Sequence, residues 1–479
     1  MRLVLGSVLC TTGYAVLLTL GDLDGNRPLL AGATFPLWAL FLAVTWWVRR
    51  GGSRCSRPVL AVILAAVVLQ VPGLLVPPRS SSDAYRYVWD GRVQLSGTSP
   101  YRFAPLDDRL ASLRDPVLFP GLGVDDRSGY STGRLPSDRD ALLRLAGADP
   151  RTRINRPMVT TIYPPVAQAW FTLVAAVTPW SAGTLGLQLG SAAVAVLLAG
   201  LLALWRRRRG GDPLDALWWA WCPTVVLEAG NGAHVDILSA ALVLAAVALA
   251  GSRPGRRRLR WLAGFVLGLA ASVKLTPLAL APALAPMRSG GLRAALPAPV
   301  AAVVTLALTY LPHVLVAGGL VLGYLPGYLA EEGGANRAGV LGLVLPDGWL
   351  GITMVLVMAL AALWAVTRRP GEHDRARLAL VLFGVLLLTT TPSYPWYALP
   401  LVALAVLTHR LEWLAVAVAG YVAYAGTRVP PISAVGYAVA LVIVVVISLA
   451  RAQRLPGRLQ RRRVSRGSST TSSPSSRTM

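Results

Sequence analysis

Polar residues that could do chemistry follow directly on an apolar run, in the stretch "SSDAYRYVWDGRVQ" at 81–94. Asp83, Arg86, Tyr87 and Asp90 stand at i, i+3, i+4 and i+7, which predicts one stripe of an amphipathic helix. A carboxylate in such a stripe can act as a general base toward a hydroxyl. Two structural roles compete with this one: Asp83 could cap the helix N-terminus, and Asp90 could pair with Arg86 one turn earlier.

Other candidate residues stand in short polar segments between apolar runs. In chain order they are Tyr163, His234, Asp236, Lys274, Arg337, Tyr394, Trp396 and Tyr397. Lys274 is the only lysine of the chain and precedes a "TP" pair. We expect the helix to break there. A charge near a span centre costs about 3 kcal/mol, which indicates a function for Lys274, such as holding an anionic phosphate. The alternative is that its ammonium group snorkels to the interface.

His234 and Asp236 share the short segment "EAGNGAHVD", where a turn network held by hydrogen bonds is the alternative to a functional role. The three aromatic residues of "TPSYPWY" would line a sugar or lipid entry, or form an ordinary interfacial belt. The sequence contains no metal or nucleotide signature such as HExxH or a P-loop. We therefore expect neither a metal nor a cofactor.

The composition predicts the membrane setting of these residues. The 479 residues are 54% hydrophobic and only 14% charged, and apolar runs of about 20 residues recur, each long enough to cross a bilayer as a helix. The net charge of +24 lies in short gaps such as 49–57, 206–211 and 253–260. This is the positive-inside pattern of a polytopic α-helical membrane protein and argues against a nucleic-acid partner.

Counting spans from the basic gaps gives about 12–14 transmembrane helices, with both termini cytoplasmic. The run 166–178 is too short to span and is interpreted as an interfacial or re-entrant helix. The predicted division is N-terminal helices at 1–76, a long external loop at 77–184, a transmembrane core at 185–450 with short external loops at 228–236, 313–347 and 391–397, and a basic, Ser/Thr-rich disordered tail at 451–479. All candidate residues then face the extracytoplasmic side.

The segments "DAYRYVWDGRVQLSGTSPYRFAP", "IYPPVAQ", "NGAHVD", "VKLTPLAL" and "PSYPWYALPLVAL", in this order, resemble the polyprenyl-phosphate-mannose-dependent membrane mannosyltransferases of actinobacteria. The resemblance is to glycosyltransferase family 87 and the related α-1,6-mannosyltransferases. It implies an all-α C-type glycosyltransferase fold with juxtamembrane helices in the first external loop.

The resemblance further implies inverting transfer of a hexose, mannose in this family, from a polyprenyl-phosphate donor to an extracytoplasmic glycan or glycolipid acceptor in lipoglycan assembly. The family's first-loop aspartate acts as base, which maps onto Asp83, with Asp90 as second candidate. Lys274, Arg337 and His234 are the candidates for the donor phosphate; Arg86, Tyr87, Tyr163, Asp236 and the three aromatic residues are those for substrate. The expected location is the plasma membrane. A secondary transporter or a flippase of lipid-linked sugars is the alternative.

Overall fold

The computed structural model describes residues 1–51, 55–120, 151–252, 257–285, 287–332, 339–368, 375–426 and 430–467. In this part of the chain every regular element of secondary structure is a helix, and there is no strand. The α-helices are α1 Arg2–Leu18, α2 Arg27–Arg50, α3 Pro58–Leu74, α4 Asp83–Leu95, α5 Pro165–Val177, α6 Leu185–Arg208, α7 Leu217–Ala220, α8 Asp236–Ser252, α9 Arg257–Ala271, α10 Ala281–Leu284, α11 Met287–Ala295, α12 Pro297–Ala317, α13 Leu325–Glu332, α14 Asp347–Thr367, α15 Arg375–Thr390, α16 Leu399–Thr408, α17 Leu414–Ala425 and α18 Pro430–Gly467.

Shorter helical turns connect them. A π-helical turn covers Val225–Asn231, and the 3-10 turns are Asp108–Leu113, Trp180–Ala182, Pro213–Ala216, Thr276–Leu280, Gly318–Leu322, Val340–Leu343, Pro395–Ala398 and Leu411–Trp413.

The apolar helices confirm an all-α polytopic membrane protein. Among the described residues, five helices are long and apolar enough to cross a membrane, and a sixth span results if one bent pair is counted as a single crossing. The five are α2, α6, the segment Pro297–Glu331, α14 and the segment Pro431–Gln453. Further apolar helices have 10–17 residues, among them α1, α3 and α17. They are shorter than the roughly 20 residues that an untilted helix needs to cross a bilayer core. The predicted count of 12–14 spans depends on these shorter helices and stays a prediction.

Helices α4 and α5 of the first loop pack against each other. The rings of Tyr87 on α4 and Phe171 on α5 stack with centroids 4.4 Å apart. A Cβ at Gly91 would lie 2.4 Å from the carbonyl oxygen of Phe171, so only glycine permits this approach of the two backbones. The 13 residues of α5 span about 20 Å, which agrees with the expectation of a helix too short to cross.

Two interruptions shape the region between α6 and α12. The apolar segment 214–227, one of the spans counted from the sequence, is not one helix, because Pro223 follows α7 and the chain resumes as the π-helical turn. That turn and α8 form the bent pair, with an angle of 114° between them. The second interruption lies at Lys274, where α9 has ended and the 3-10 turn at Thr276 has not begun. This break was predicted from the "TP" pair.

Helices α9 and α12 pack closely through small residues. A Cβ at Gly264 would lie 2.2 Å from the carbonyl oxygen of Ala298, and one at Gly268 would lie 2.6 Å from that of Ala302. Small residues four apart bring membrane helices into close contact in this way. The packing fixes the direction of α9 and thereby the position of Lys274 just beyond its end.

The last helix continues farther than the sequence predicted. Helix α18 runs through Gly467, whereas the disordered tail was expected from residue 451 onward. The residues beyond 450 are mostly Arg, Gln and Leu, which are good helix formers and continue a helix that the apolar segment has already nucleated. Pro456 and Gly457 within this stretch are unfavourable in a helix interior. Residues 468–479 lie outside the described part of the chain.

Candidate functional site

Asp83 is the first residue of α4, and its carboxylate is held by side chains from other parts of the chain. Asn155 donates a hydrogen bond to Oδ1. The hydroxyls of Tyr163 and Tyr87 donate to Oδ2 at 3.2 and 3.4 Å. The cap position belongs to Ser82, which makes no side-chain cap bond, so the capping role for Asp83 is not what the structure shows. The helix N-terminus still favours the negative charge.

The two phenols remain hydrogen-bond donors to this carboxylate. Burial, and after it the charge of Asp83, raises the pKa of Tyr163 and that of Tyr87 well above the ordinary value. Both hydroxyls therefore keep their protons at neutral pH. The side chain of Asp83 is 14% exposed, so the carboxylate can meet a substrate while its other contacts hold it in place.

His234 lies behind Asp83. Its Nε2 is 4.0 Å from Asp83 Oδ2, and its ring stacks on Trp396 with centroids 3.8 Å apart. Nδ1 lies 2.9 Å from the carbonyl oxygen of Glu228 and 3.3 Å from that residue's carboxylate. Two acceptors at Nδ1 place the proton there, which leaves the Nε2 lone pair facing Asp83. Nε2 is buried and has no hydrogen-bond partner among the described residues.

Glu228 supports this histidine from the π-helical turn. Its carboxylate is fully buried and accepts hydrogen bonds from Ser80 at 3.0 Å and from Tyr421 at 2.8 Å. The turn network that the sequence offered as an alternative therefore exists, and the left-handed backbone of Ala233, at φ 52°, directs the chain into it. The network holds the His234 ring in place beside the candidate base, with Nε2 4.0 Å from Asp83 Oδ2.

Lys274 and Asp236 form a buried ion pair. Nζ of Lys274 donates to the two carboxylate oxygens of Asp236 at 2.7 and 2.9 Å. It also lies 3.4 Å from the centroid of the Tyr397 ring, within the range of a cation–π contact. An ammonium has three protons, and Asp236 accepts two hydrogen bonds, so one proton remains for another ligand. The Lys274 side chain is 16% exposed.

The aromatic residues of the "TPSYPWY" segment stack into one layer, the aromatic shelf formed by Tyr394, Trp396 and Tyr397. Ring centroids are 4.9 Å apart for Tyr394 and Trp396, and 6.1 Å apart for Tyr394 and Tyr397. The hydroxyl of Tyr397 lies 3.1 Å from that of Tyr328. The shelf touches His234 through Trp396 and Lys274 through Tyr397, which joins the two polar groups into one site.

Asp90 occupies a different environment from Asp83. It is only 1% exposed and binds Arg86 at 3.0 Å, Thr161 at 2.6 Å and Gln168 at 3.1 Å. Arg86 also donates to the backbone carbonyl of Val159 at 3.0 Å. The predicted pairing of Arg86 with Asp90 is present. These contacts tie α4 to the 156–161 segment and to α5, so both residues position the loop and lie away from open space.

The buried cluster around Tyr87 brings the sequence motifs together. Its apolar members come from α4, from α5, from the turn at Ala233 and Val235, and from Val273 beside Lys274. The backbone N–H of Val166 donates to the carbonyl oxygen of Ser272 at 2.9 Å. Four segments of the chain thus converge on one site. Arg337 lies outside the described residues.

Asn155 and Glu228 were not among the predicted site residues. Both lie in polar segments of the sequence. Asn155 was not predicted because an isolated amide in a loop has no spacing that indicates a function. Glu228 meets His234 only because a π-helical turn and a left-handed residue separate them.

Comparison with known proteins adds the family. Residues 161–392 match the model of glycosyltransferase family 87. The matched range includes the turn at His234, Lys274 and the start of the aromatic segment, and it begins after Asp83. No curated protein and no solved structure matches. Together with the helical membrane architecture, this match indicates a membrane glycosyltransferase and supports membership of glycosyltransferase family 87.

Proposed function

We propose that the chain transfers a hexose, specifically mannose, from a polyprenyl-phosphate donor to a hydroxyl of an extracytoplasmic glycan or glycolipid, with inversion. The observation that supports this most is the partly exposed Asp83 carboxylate, which neutral donors hold from three sides. No arginine or lysine of the described chain lies within ion-pair distance of it. A carboxylate that is positioned but not neutralised is suited to accept a proton.

The reaction is a single displacement. The acceptor hydroxyl oxygen bonds to the anomeric carbon of the donor as its proton moves to Asp83. The bond between that carbon and the phosphate oxygen breaks, and the electron pair leaves with the polyprenyl phosphate. Attack opposite the leaving group inverts the anomeric configuration. Asp83, with Tyr163, Tyr87 and Asn155 as its hydrogen-bond donors, is the general base in this proposal, and Asp90 is a positioning residue.

Lys274 is proposed to contact the donor phosphate through its remaining proton. Asp236 offsets most of the charge of Lys274, so the contact depends on a direct hydrogen bond at short range. Electrostatic stabilisation of the departing phosphate lowers the barrier. Tyr397 and Tyr394 are proposed to line the sugar or lipid entry, where aromatic faces suit the apolar side of a hexose ring. Trp396, expected to share this role, is only 4% exposed and lies stacked between His234 and Tyr394, so it supports the entry from behind.

His234 has a different role from the one expected. The sequence suggested a contact with the donor phosphate, but the imidazole is fully buried under Trp396. Its Nε2 lies 4.0 Å from Asp83 Oδ2, beyond hydrogen-bond distance. It would accept a hydrogen bond from that carboxyl group once the acceptor proton has been transferred and the two side chains have moved about 1 Å closer. We assign His234 to the stabilisation of protonated Asp83.

The competing candidate is a secondary transporter or lipid-linked sugar flippase. The bent pair of the π-helical turn and α8 is the observation in its favour, because broken helices line transporter sites. The experiment that separates the two uses the purified full chain, polyprenyl-phosphate mannose carrying a radiolabelled sugar, and extracted envelope glycolipids. Label that becomes covalently joined to the glycolipid supports the transferase. Labelled donor that crosses the membrane of proteoliposomes, without a covalent product, supports the transporter. A protein that does neither with any lipid-linked hexose contradicts both.

A further inference from the structure

A second polar region lies at the opposite end of α9 from Lys274. There a cavity of about 670 Å³ opens between the start of α9, the end of α11 and the start of α12. Arg257, Arg260 and Arg293 line it together with Trp261. Since α9 has 15 residues, this basic cavity is about 22 Å along the helix from the candidate site.

The arginines of the basic cavity differ from several basic groups at other helix ends that pair with carboxylates. Arg49 and Arg206 both pair with Asp215, at 2.6 and 2.5 Å. Arg410 and Arg451 likewise share Glu412.

In contrast, no carboxylate of the described chain pairs with Arg257, Arg260 or Arg293. The Nε atom of Arg260 is buried and has no hydrogen-bond partner there. Three cations around one cavity repel each other, so an anion that fills it gains favourable interactions with all of them.

The surroundings of the cavity indicate what kind of anion would fit. Leu292 and Leu296 also line it and are 59% and 51% exposed. Phe265 lies one turn along α9 from Trp261 and is 45% exposed. In a membrane helix such exposed apolar side chains face lipid. Trp261, 40% exposed, is the residue type that favours the headgroup level of a bilayer.

We propose that the basic cavity is a binding site for an anionic phospholipid, with the phosphodiester between the three arginines and an acyl chain along the exposed apolar face of α9 and α12. Basic pockets between membrane helices suit lipid headgroups of this kind. The positive-inside pattern assigns the cavity to the cytoplasmic leaflet. The site is separate from the proposed transfer reaction and does not depend on it.

Native mass spectrometry of the full chain in detergent tests the site, with phosphatidylglycerol and phosphatidylcholine as probes. The variant Arg257→Gln/Arg260→Gln/Arg293→Gln removes three charges from the cavity. The matched control Arg207→Gln/Arg208→Gln/Arg258→Gln removes three arginines that do not line it. Each cation near a lipid surface contributes about 1 kcal/mol, or about fivefold in affinity. We therefore expect the cavity variant to bind phosphatidylglycerol at least about 10-fold more weakly, and the control to change less than threefold.

Three outcomes would overturn the proposal. Equal losses in the two variants would mean general electrostatic attraction. Equal binding of phosphatidylcholine by the unmodified protein would mean that charge does not select the lipid. Displacement of phosphatidylglycerol by millimolar inorganic phosphate would assign the cavity to a free phosphate and not to a lipid. A cavity variant that elutes as a monodisperse protein with unchanged thermal stability shows that its loss of lipid is not a loss of fold.

Discussion

Replacing Asp83 by Asn removes the proposed base with little change of shape. In the variant the amide oxygen can still accept from Tyr163 and Tyr87, and the amide of Asn155 can turn to accept from the new NH₂ group. The three hydrogen bonds lose their charge assistance and the helix dipole loses its anion, but the neutral amide is easier to bury, so the net loss is about 1–2 kcal/mol. That is small against a typical free energy of unfolding of about 5–15 kcal/mol, so the protein should fold.

The rate should change far more than the stability. General base catalysis contributes about 10²–10⁴ in rate, which corresponds to about 2.7–5.5 kcal/mol of barrier. We expect kcat of Asp83→Asn to fall by that factor with KM for the donor nearly unchanged. The assay is transfer of labelled hexose from polyprenyl phosphate by purified variant and wild type, with thermal unfolding measured in parallel.

The matched control is Asp108→Asn, which makes the same chemical change at a side chain that is 98% exposed in the same loop. Its activity should equal that of the wild type. If Asp83→Asn kept near wild-type kcat, Asp83 would not be the base. If the activity of Asp83→Asn fell only in proportion to the amount of folded protein, Asp83 would have a structural role and no catalytic one.

Three further predictions concern the neighbours of Asp83. Asp90→Asn should lower the apparent melting temperature and the yield, because it leaves the buried Arg86 without its anion at a cost of about 3–5 kcal/mol; a stable but inactive variant would contradict the positioning role. The double variant Lys274→Met/Asp236→Leu removes the ion pair without leaving an unpaired buried charge. It should raise KM for the donor about 10-fold or more, because one charged hydrogen bond to the phosphate is lost. An unchanged KM would exclude the phosphate contact. Glu228→Gln should lower kcat about 10-fold at unchanged KM, because the amide offers one acceptor oxygen where the carboxyl group offers two, to Ser80, Tyr421 and Nδ1 of His234. An unchanged kcat would show that Glu228 does not contribute to catalysis.

Local patterns in the sequence predicted the helix that carries Asp83. The spacing of Asp83, Arg86, Tyr87 and Asp90 alone identified an amphipathic helix and the pairing of Arg86 with Asp90, because both depend only on the helical period. The break at Lys274 followed from the same kind of local rule.

The distant contacts could not be predicted in this way. Lys274 and Asp236 are 38 residues apart, and their pairing depends on how α8 and α9 pack. The contact of His234 with Glu228 depends on a π-helical turn, which has no sequence signature. Asp83 is proposed as the base and Asp90 as a positioning residue because Asp90 is more deeply buried. Both residues lie on one polar stripe, and the sequence does not show which end of that stripe is exposed.

The anomeric configuration of the product tests the central proposal most directly. NMR of the glycan made by the purified chain from polyprenyl-phosphate mannose should show one new glycosidic bond whose configuration is opposite to that of the donor. Because Asp83 is proposed as a base and not as a nucleophile, a single inversion is required. A product with the donor's configuration would contradict the single displacement.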